Sequence, residues 1–225
     1  MSSLGAVRGG TARDIVYAEL RRRLTTGAYS ADAALVPGVL SAEFDVSRTP
    51  VREALGLLEQ EGLLRATSRG FVLRSRSESE LVDIFETRGV LDAAAAAAAA
   101  DRRDDIDLHR LYDLTERART ESDPTEVRRL FNGWHEALRL AARNATIAEL
   151  LQTLDAQAKV SAPWRPDEKD RSFDDRCDEH EAILRAVVAR DAEAARSLML
   201  EHMRRDHEVR VRSTVGPRQP GSVGA

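Results

Sequence analysis

The chain has 225 residues with a formal net charge of −4, and 42% hydrophobic against 32% charged residues. That length admits one or two domains and enough apolar residue to bury a core, which excludes disorder as the main state. No apolar run approaches the roughly 20 residues that span a bilayer. The opening MSSLGAVRGG lacks the apolar stretch of a secretory signal, and a lone Cys177 excludes a disulfide framework or a Cys-rich zinc module. The expectation is a soluble cytoplasmic protein with no membrane partner. Aromatics are only 4% and alanine and leucine are abundant, which favours helix. Eight consecutive alanines at 93–100 read as helix rather than membrane anchor, with charges closing both ends.

Charge divides the chain. Residues 11–76 hold ten Arg against eight acids, a net of +2, whereas 77–212 hold 22 Lys and Arg against 30 acids, a net of −8. Two domains with different partners would produce this asymmetry, and so would ordinary variation among solvated faces. A basic front that binds DNA would be oriented by repulsion of its acidic back.

In chain order, residues 11–26 place Ile15, Ala18, Leu20 and Leu24 along one helical side, with Gly27 as a stop signal. A turn-rich stretch follows, then a short second helix near Gly38–Phe44 and a tight turn at Asp45-Val46. A third helix begins at Ser47-Arg48-Thr49-Pro50, with a hydroxyl available as N-cap and Pro50 in the first turn. Val51, Leu55 and Leu58 form its inward stripe. Its outward side carries Arg48, Thr49 and Arg52, the groups a helix needs to enter a major groove and read guanine bidentately. After Gly62 the period changes: Leu63–Thr67, a turn at Ser68-Arg69-Gly70 and Phe71–Arg74 predict a β-hairpin with a basic tip. Helix–turn–helix followed by such a hairpin is a winged helix.

The run VSRTPVREALGLLEQEGLLRATSRGFVL, Val46–Leu73, resembles the signature of GntR-type bacterial transcription regulators. The resemblance implies that Ser47, Arg48, Thr49 and Arg52 face operator DNA and that the wing tip, Arg69-Gly70, reaches the minor groove. One departure stands out. The family usually has an arginine ten residues before Arg48, where this chain has Gly38. Arg21–Arg23 of the first helix are candidates to compensate through backbone contacts.

Beyond Arg76 the pattern is helical for the rest of an expected domain spanning 77–212. Breaks at Arg102–Asp105, Ser122–Pro124, Asn144-Ala145, Ala162–Pro166 and Arg190-Asp191 divide it into about six helices, an all-helical bundle. The predicted fold is mainly α: a winged helix-turn-helix followed by a helical effector-binding and dimerisation bundle. Residues 1–10 and 213–225 read as flexible tails.

His135, His180 and His202 each border an apolar stripe on a different predicted helix, so they can meet inside a bundle and bind metal through imidazole nitrogens. His109 and His207, among charges, read as surface residues. Residues 78–207 resemble the FCD effector domain of the FadR-like branch of the same family, through ETRGVLDAAAAAAAA, WHEAL with Arg143-Asn144, DEHEAILRAVVARDAEAA and Glu201-His202. Many members hold a divalent metal with one Asp and three His, and the three histidines correspond to His135, His180 and His202. The aspartate belongs four residues before the first of these, where this chain has Phe131, with Asn132 a poor neutral substitute. Three arrangements stay open: metal held by three His and water, no metal, or histidines that bond an organic effector directly. With three imidazoles, Zn or Ni is favoured over Mg or Ca. Arg88 corresponds to an arginine that often faces the pocket, a candidate anchor for an effector carboxylate; the alternative is an ion pair with Asp92 at i+4.

The favoured function is a ligand-responsive transcription regulator, read as a repressor, that binds a pseudo-palindromic operator as a homodimer. The competing reading is a metalloenzyme built on the three histidines, weakened because the nearest carboxylates, Glu136, Glu179, Glu181 and Glu201, should mostly face solvent. A purely structural helical scaffold leaves VSRTPVREAL unexplained.

Overall fold

A computed structural model describes residues 10–163 and 173–215. Among these residues it is mainly helical, with one two-stranded sheet, and it divides into two compact units. One unit contains the described chain up to Ser77 together with Asp155–Pro163; the other contains Glu78–Leu154 and the described residues from 173 onward. The first unit is therefore not continuous in sequence.

In the first unit, α1 (Ala12–Thr25) starts at a capping box in which Thr11 and Asp14 satisfy each other's backbone N–H. Its buried face is Val16, Leu20 and Leu24, whereas Ala18 is exposed and Ile15 half-buried. The expected stripe is thus rotated onto Val16, which shares the i, i+4, i+8 line with both leucines. Next, α2 (Pro37–Glu43) leads through Asp45, at φ 52°, into α3 (Arg48–Gln60). Val51, Ala54, Leu55 and Leu58 of α3 close the core against Leu20, Leu24, Leu40 and Phe44. Gly62, at φ 72°, ends the helix in the left-handed conformation that glycine adopts without steric cost.

The wing is β1 (Leu64–Thr67) antiparallel to β2 (Gly70–Leu73), in register Leu64 with Leu73 and Thr67 with Gly70. A two-residue turn, Ser68-Arg69, joins them, so Gly70 opens β2 instead of completing the turn. Its role is steric. At φ 134° a Cβ on residue 70 would stand 2.6 Å from the Leu35 carbonyl oxygen, because Leu35 and Phe71 exchange backbone hydrogen bonds of 2.7 and 3.0 Å. Asp155–Pro163 completes this unit: Ala156 and Val160 join its core, and Gln157 Nε2 donates to the Glu61 carbonyl at the end of α3 at 2.7 Å.

The second unit holds α4 (Glu78–Arg102), α5 (Asp105–Thr120), α6 (Pro124–Ala141), the first part of α7 (Ala145–Ser161), α8 (Phe173–Val188) and α9 (Ala192–Val215). These six helices match the expected bundle. The break expected at Ala162–Pro166 falls largely outside the described residues. The alanine run lies at the bundle's centre, with Ala93, Ala95, Ala96, Ala99 and Ala100 buried where α4 packs most extensively, against α9; small side chains let backbones approach closely. A buried ion pair crosses the bundle: Arg139 donates to both carboxylate oxygens of Asp92 at 2.7 and 2.9 Å. No described helix is long and apolar enough to cross a membrane. Of the expected tails, residues 1–9 and 216–225 lie outside the described residues; Ser213–Val215 instead continue α9.

Candidate functional site

The first site is a face of α3. Because the helix turns one side into the core, Arg48, Thr49 and Arg52 are left exposed together, with Arg69 exposed on the wing turn. Ser47 occupies the N-cap position, but its hydroxyl makes no capping bond. The expected cap is thus corrected, and the exposed hydroxyl stands beside N–H groups at the helix N-terminus, where phosphate is favoured. Gly38 also acquires a physical meaning. The Arg48 guanidinium lies 3.7–3.8 Å from where a Cβ on residue 38 would be. The Arg48 side chain therefore lies over the α2 position that lacks one.

Arg21–Arg23, the candidates to compensate, are each paired with carboxylates. Arg21 pairs with Glu61 at 3.0 Å, Arg22 with Glu19 at 2.7 Å, and Arg23 with Glu19 at 2.7 Å and also with Glu43. A phosphate contact by any of them would share or displace one of these carboxylates, at a cost of about 0–1 kcal/mol for an exposed pair.

The second site lies inside the helical unit. His135 from α6, His180 from α8 and His202 from α9 converge, one ligand nitrogen of each lying within 4.8 Å of the others. The stripes explain the convergence: each histidine sits within four positions of core residues, namely Trp134 and Ala137, Ile183 and Leu184, and Met199 and Met203.

Hydrogen bonds set the tautomers. His180 Nδ1–H donates to the Arg176 carbonyl four residues earlier, at 2.7 Å. That leaves Nε2 with its lone pair, buried and without a hydrogen-bond partner. His202 Nδ1–H donates to Glu179 Oε2 at 2.8 Å, and Arg205 holds the other oxygen at 2.7 Å. The His202 Nε2 then faces His135 Nε2 at 3.2 Å, so a single proton lies between two nitrogens that a cation would draw to itself. Burial pushes His135 well below the ordinary histidine value and His180 down to about 3, with the neighbouring imidazoles adding to the shift. His180 presents the form that ligates metal, a neutral imidazole with an inward lone pair and an outward hydrogen bond, whereas His135 Nδ1 is buried without a hydrogen-bond partner. The three residues fit a divalent cation.

Around them is a cavity of about 40 Å³. Arg88 lines it, as does Asn132 from a more exposed position on its rim. Since Asp92 is engaged by Arg139, the two alternatives for Arg88 resolve towards a pocket-facing residue. Phe131 stacks on His180 with ring centroids 4.4 Å apart and planes within 8°. His109 is exposed, and His207 stacks on Phe85 away from the trio.

Sequence reasoning missed several residues here. Glu179, expected in solvent, is buried against His202 with 12% of its side chain exposed. Arg176, Arg128 and Asp206 also line the cavity. Spacing held the signal for two of them: Arg176 stands four residues before His180 and Asp206 four after His202, on the same helical faces.

A winged helix with an exposed cationic reading face, together with a helical unit enclosing a small polar cavity, defines a DNA-binding regulator with a ligand-binding domain. Comparison with known proteins specifies the family. The model for bacterial regulatory proteins of the gntR family matches residues 12–72, and that for the FCD domain matches residues 83–205. The chain belongs to the GntR family of transcriptional regulators, in the group that carries an FCD domain.

Among its relatives, the HTH-type transcriptional regulator YdhC of Bacillus subtilis is 28% identical over 199 residues, covering 85% of this chain and 88% of that protein. The gluconate operon transcriptional repressor of Bacillus licheniformis is 26% identical over 200 residues, covering 86% and 81%. The solved structure of E. coli McbR/YncC superposes with a TM-score of 0.77 at 21% identity, covering 92% of this chain and 100% of the other. A putative GntR regulator from Rhodococcus sp. RHA1 gives 0.72 at 22% identity, covering 92% and 99%. At those identities the structures bear on the fold alone. None of these comparisons supports the metalloenzyme alternative.

Proposed function

We propose that the chain is a cytoplasmic, homodimeric repressor whose DNA binding is controlled by a small carboxylate. Residues 11–76 read the operator and residues 77–212 bind effector and dimerise. Two copies of α3 would then enter successive major grooves of a pseudo-palindromic site, about 34 Å apart. Arg48 and Arg52 pair with bases, Ser47 and Thr49 with phosphate or base edges, and the wing turn at Arg69-Gly70 approaches the minor groove. The observation that carries this reading is the joint exposure of Arg48, Thr49 and Arg52 on the helix whose other side is core.

For the effector, Arg88 and Asn132 bind the carboxylate and His135, His180 and His202 hold zinc or nickel. The bound metal would supply a Lewis-acidic centre for an oxygen ligand; the protein's own part is to orient three imidazoles and exclude water. Two observations support an acidic effector: guanidinium groups line the cavity, and relatives are named for the gluconate operon and the Exu regulon, gluconate being a sugar acid.

The test is selection of binding sites from random DNA, followed by anisotropy titration. Arg52→Ala should weaken specific binding by roughly 1–3 kcal/mol and relax preference at one base pair of each half-site. Equal affinity of variant and parent at matched salt would refute the assignment.

A further inference from the structure

Resting on the reading of Arg69-Gly70 as the part of the wing that approaches the minor groove, we propose that Glu59 is a positioning residue for the wing. Its carboxylate ties the outer edge of β1 to the reading helix and so sets where Arg69 meets DNA, without itself touching the duplex.

The hairpin's backbone leaves one margin open. On the inner margin, β2 bonds Leu35 through the N–H and carbonyl of Phe71, at 3.0 and 2.7 Å. Ala66 stands opposite Phe71 in the register, and backbone groups of opposed antiparallel residues point either both towards or both away from each other. Ala66 therefore turns its N–H away from β2. There Glu59 Oε1, from the last turn of α3, accepts that N–H at 2.8 Å. The wing is thus held along both margins, by Leu35 and by α3 itself.

From this bond a short path leads to the tip. Thr67, next to Ala66, accepts the Arg69 N–H at its hydroxyl oxygen, at 3.3 Å, and donates to the Gly70 carbonyl at 3.1 Å. The turn that carries Arg69 is closed on the residue adjoining the Glu59 bond. On the helix, Glu59 follows Arg52 by seven residues and so lies on the same side of α3, and both are exposed. One side of α3 therefore offers a cation to DNA at its start and an anion to the wing at its end. The sign of that charge excludes a phosphate contact by Glu59, since the duplex backbone repels a carboxylate.

The experiment is a double-mutant cycle on the full-length chain, read by anisotropy titration of an operator selected from random DNA. It compares the parent, Glu59→Ala, Arg69→Ala, the double variant, and Glu59→Gln, whose amide oxygen can still accept the Ala66 N–H. Glu59→Ala should weaken binding by roughly 2–12-fold, equivalent to one ordinary hydrogen bond, while Glu59→Gln binds as the parent does. In the Arg69→Ala background the loss should vanish, because the wing no longer has that contact to place. In the free protein, amide hydrogen exchange at Ala66 should quicken in Glu59→Ala and not in Glu59→Gln; unchanged exchange in both overturns the inference. Equal losses from Glu59→Ala with and without Arg69 also overturn it, and leave the wing reading standing. Arg69→Ala binding as tightly as the parent at matched salt overturns the wing reading and the inference with it. Glu59→Gln as weak as Glu59→Ala, or with an altered base preference, would show the carboxylate acting on DNA directly and refute a positioning role.

Discussion

Lowering the pH should destabilise the metal-free helical unit because its buried histidines cannot readily accept protons. His180 falls from 6.5 to about 3 in the folded chain, so below pH 6.5 the unfolded chain binds a proton that the folded chain refuses. Stability then declines as pH drops through 6.5 and goes on declining towards 3. At 1.36 kcal/mol per pH unit, lowering the pH from 7 to 5 costs about 2 kcal/mol through His180 alone; His135 is shifted in the same direction and adds to the loss. The comparator is His180→Asn, whose amide can still donate to the Arg176 carbonyl but does not titrate. Urea unfolding of EDTA-treated protein, followed by Trp134 fluorescence in a Trp164→Phe background, isolates the helical unit, where Trp134 is buried. Between pH 7 and 5 the parent should lose about 2 kcal/mol more than His180→Asn. Parallel pH profiles for the two proteins would refute the claim that a buried neutral imidazole sits at position 180. Saturating zinc should raise the parent's stability with little change of that slope between pH 7 and 5, since folded His180 already binds no added proton there.

Three further perturbations probe the rest of the fold and the reading face. Asp92→Ala removes the carboxylate that holds the Arg139 guanidinium in the bundle, where the pair's side chains are only 2% and 9% exposed; thermal or urea unfolding should show a loss of about 3–5 kcal/mol. The double variant Asp92→Ala/Arg139→Met should recover much of it, and an undiminished loss would argue against charge burial as the cause. Gly70→Ala forces a Cβ against the Leu35 carbonyl at a left-handed φ, a strain of roughly 1–3 kcal/mol. It should weaken DNA binding while the helical unit unfolds as in the parent. Gly38→Arg should raise DNA affinity and increase the magnitude of the slope of log K against log salt by about 1, the signature of one added phosphate contact. An unchanged slope would mean that position 38 does not face the backbone.

The winged helix was readable because its signals are local: a positive-φ turn at Asp45, a period change after Gly62, and an apolar stripe whose opposite side is cationic. The histidine trio was readable for a related reason, since a polar residue bordering a core stripe has few places to point. What could not be read depends on contacts distant in sequence. Nothing near Asp155–Pro163 announces that Ala156 and Val160 complete the core of the N-terminal unit, because a helical stripe does not name the surface it will meet. Glu179 looked solvent-bound from its acidic neighbours, yet it turns inward because His202, 23 residues later, offers it a donor. In α1 the misjudged face reflects weak patterning: Ile15 and Val16 are adjacent, only 100° apart, and the partner surface chooses between them.

The same cavity also explains where the helical unit gives up stability and what regains it. Its described core is mostly aliphatic, with a buried ion pair between Asp92 and Arg139, but α6, α8 and α9 each direct one imidazole into a shared space. There, nitrogens of His180 and His135 are buried without hydrogen-bond partners, a costly arrangement for packing alone. A ligand that engages those nitrogens binds the folded unit and not the unfolded chain, and at one hundred times its Kd it adds about 2.7 kcal/mol of stability. It also ties α6, α8 and α9 together through one centre. A ligand can redistribute conformations only through its differential affinity for them. A site composed of one residue from each of three helices makes that affinity depend on their mutual placement, so the polar defect in the core is the part of the unit best suited to report ligand binding.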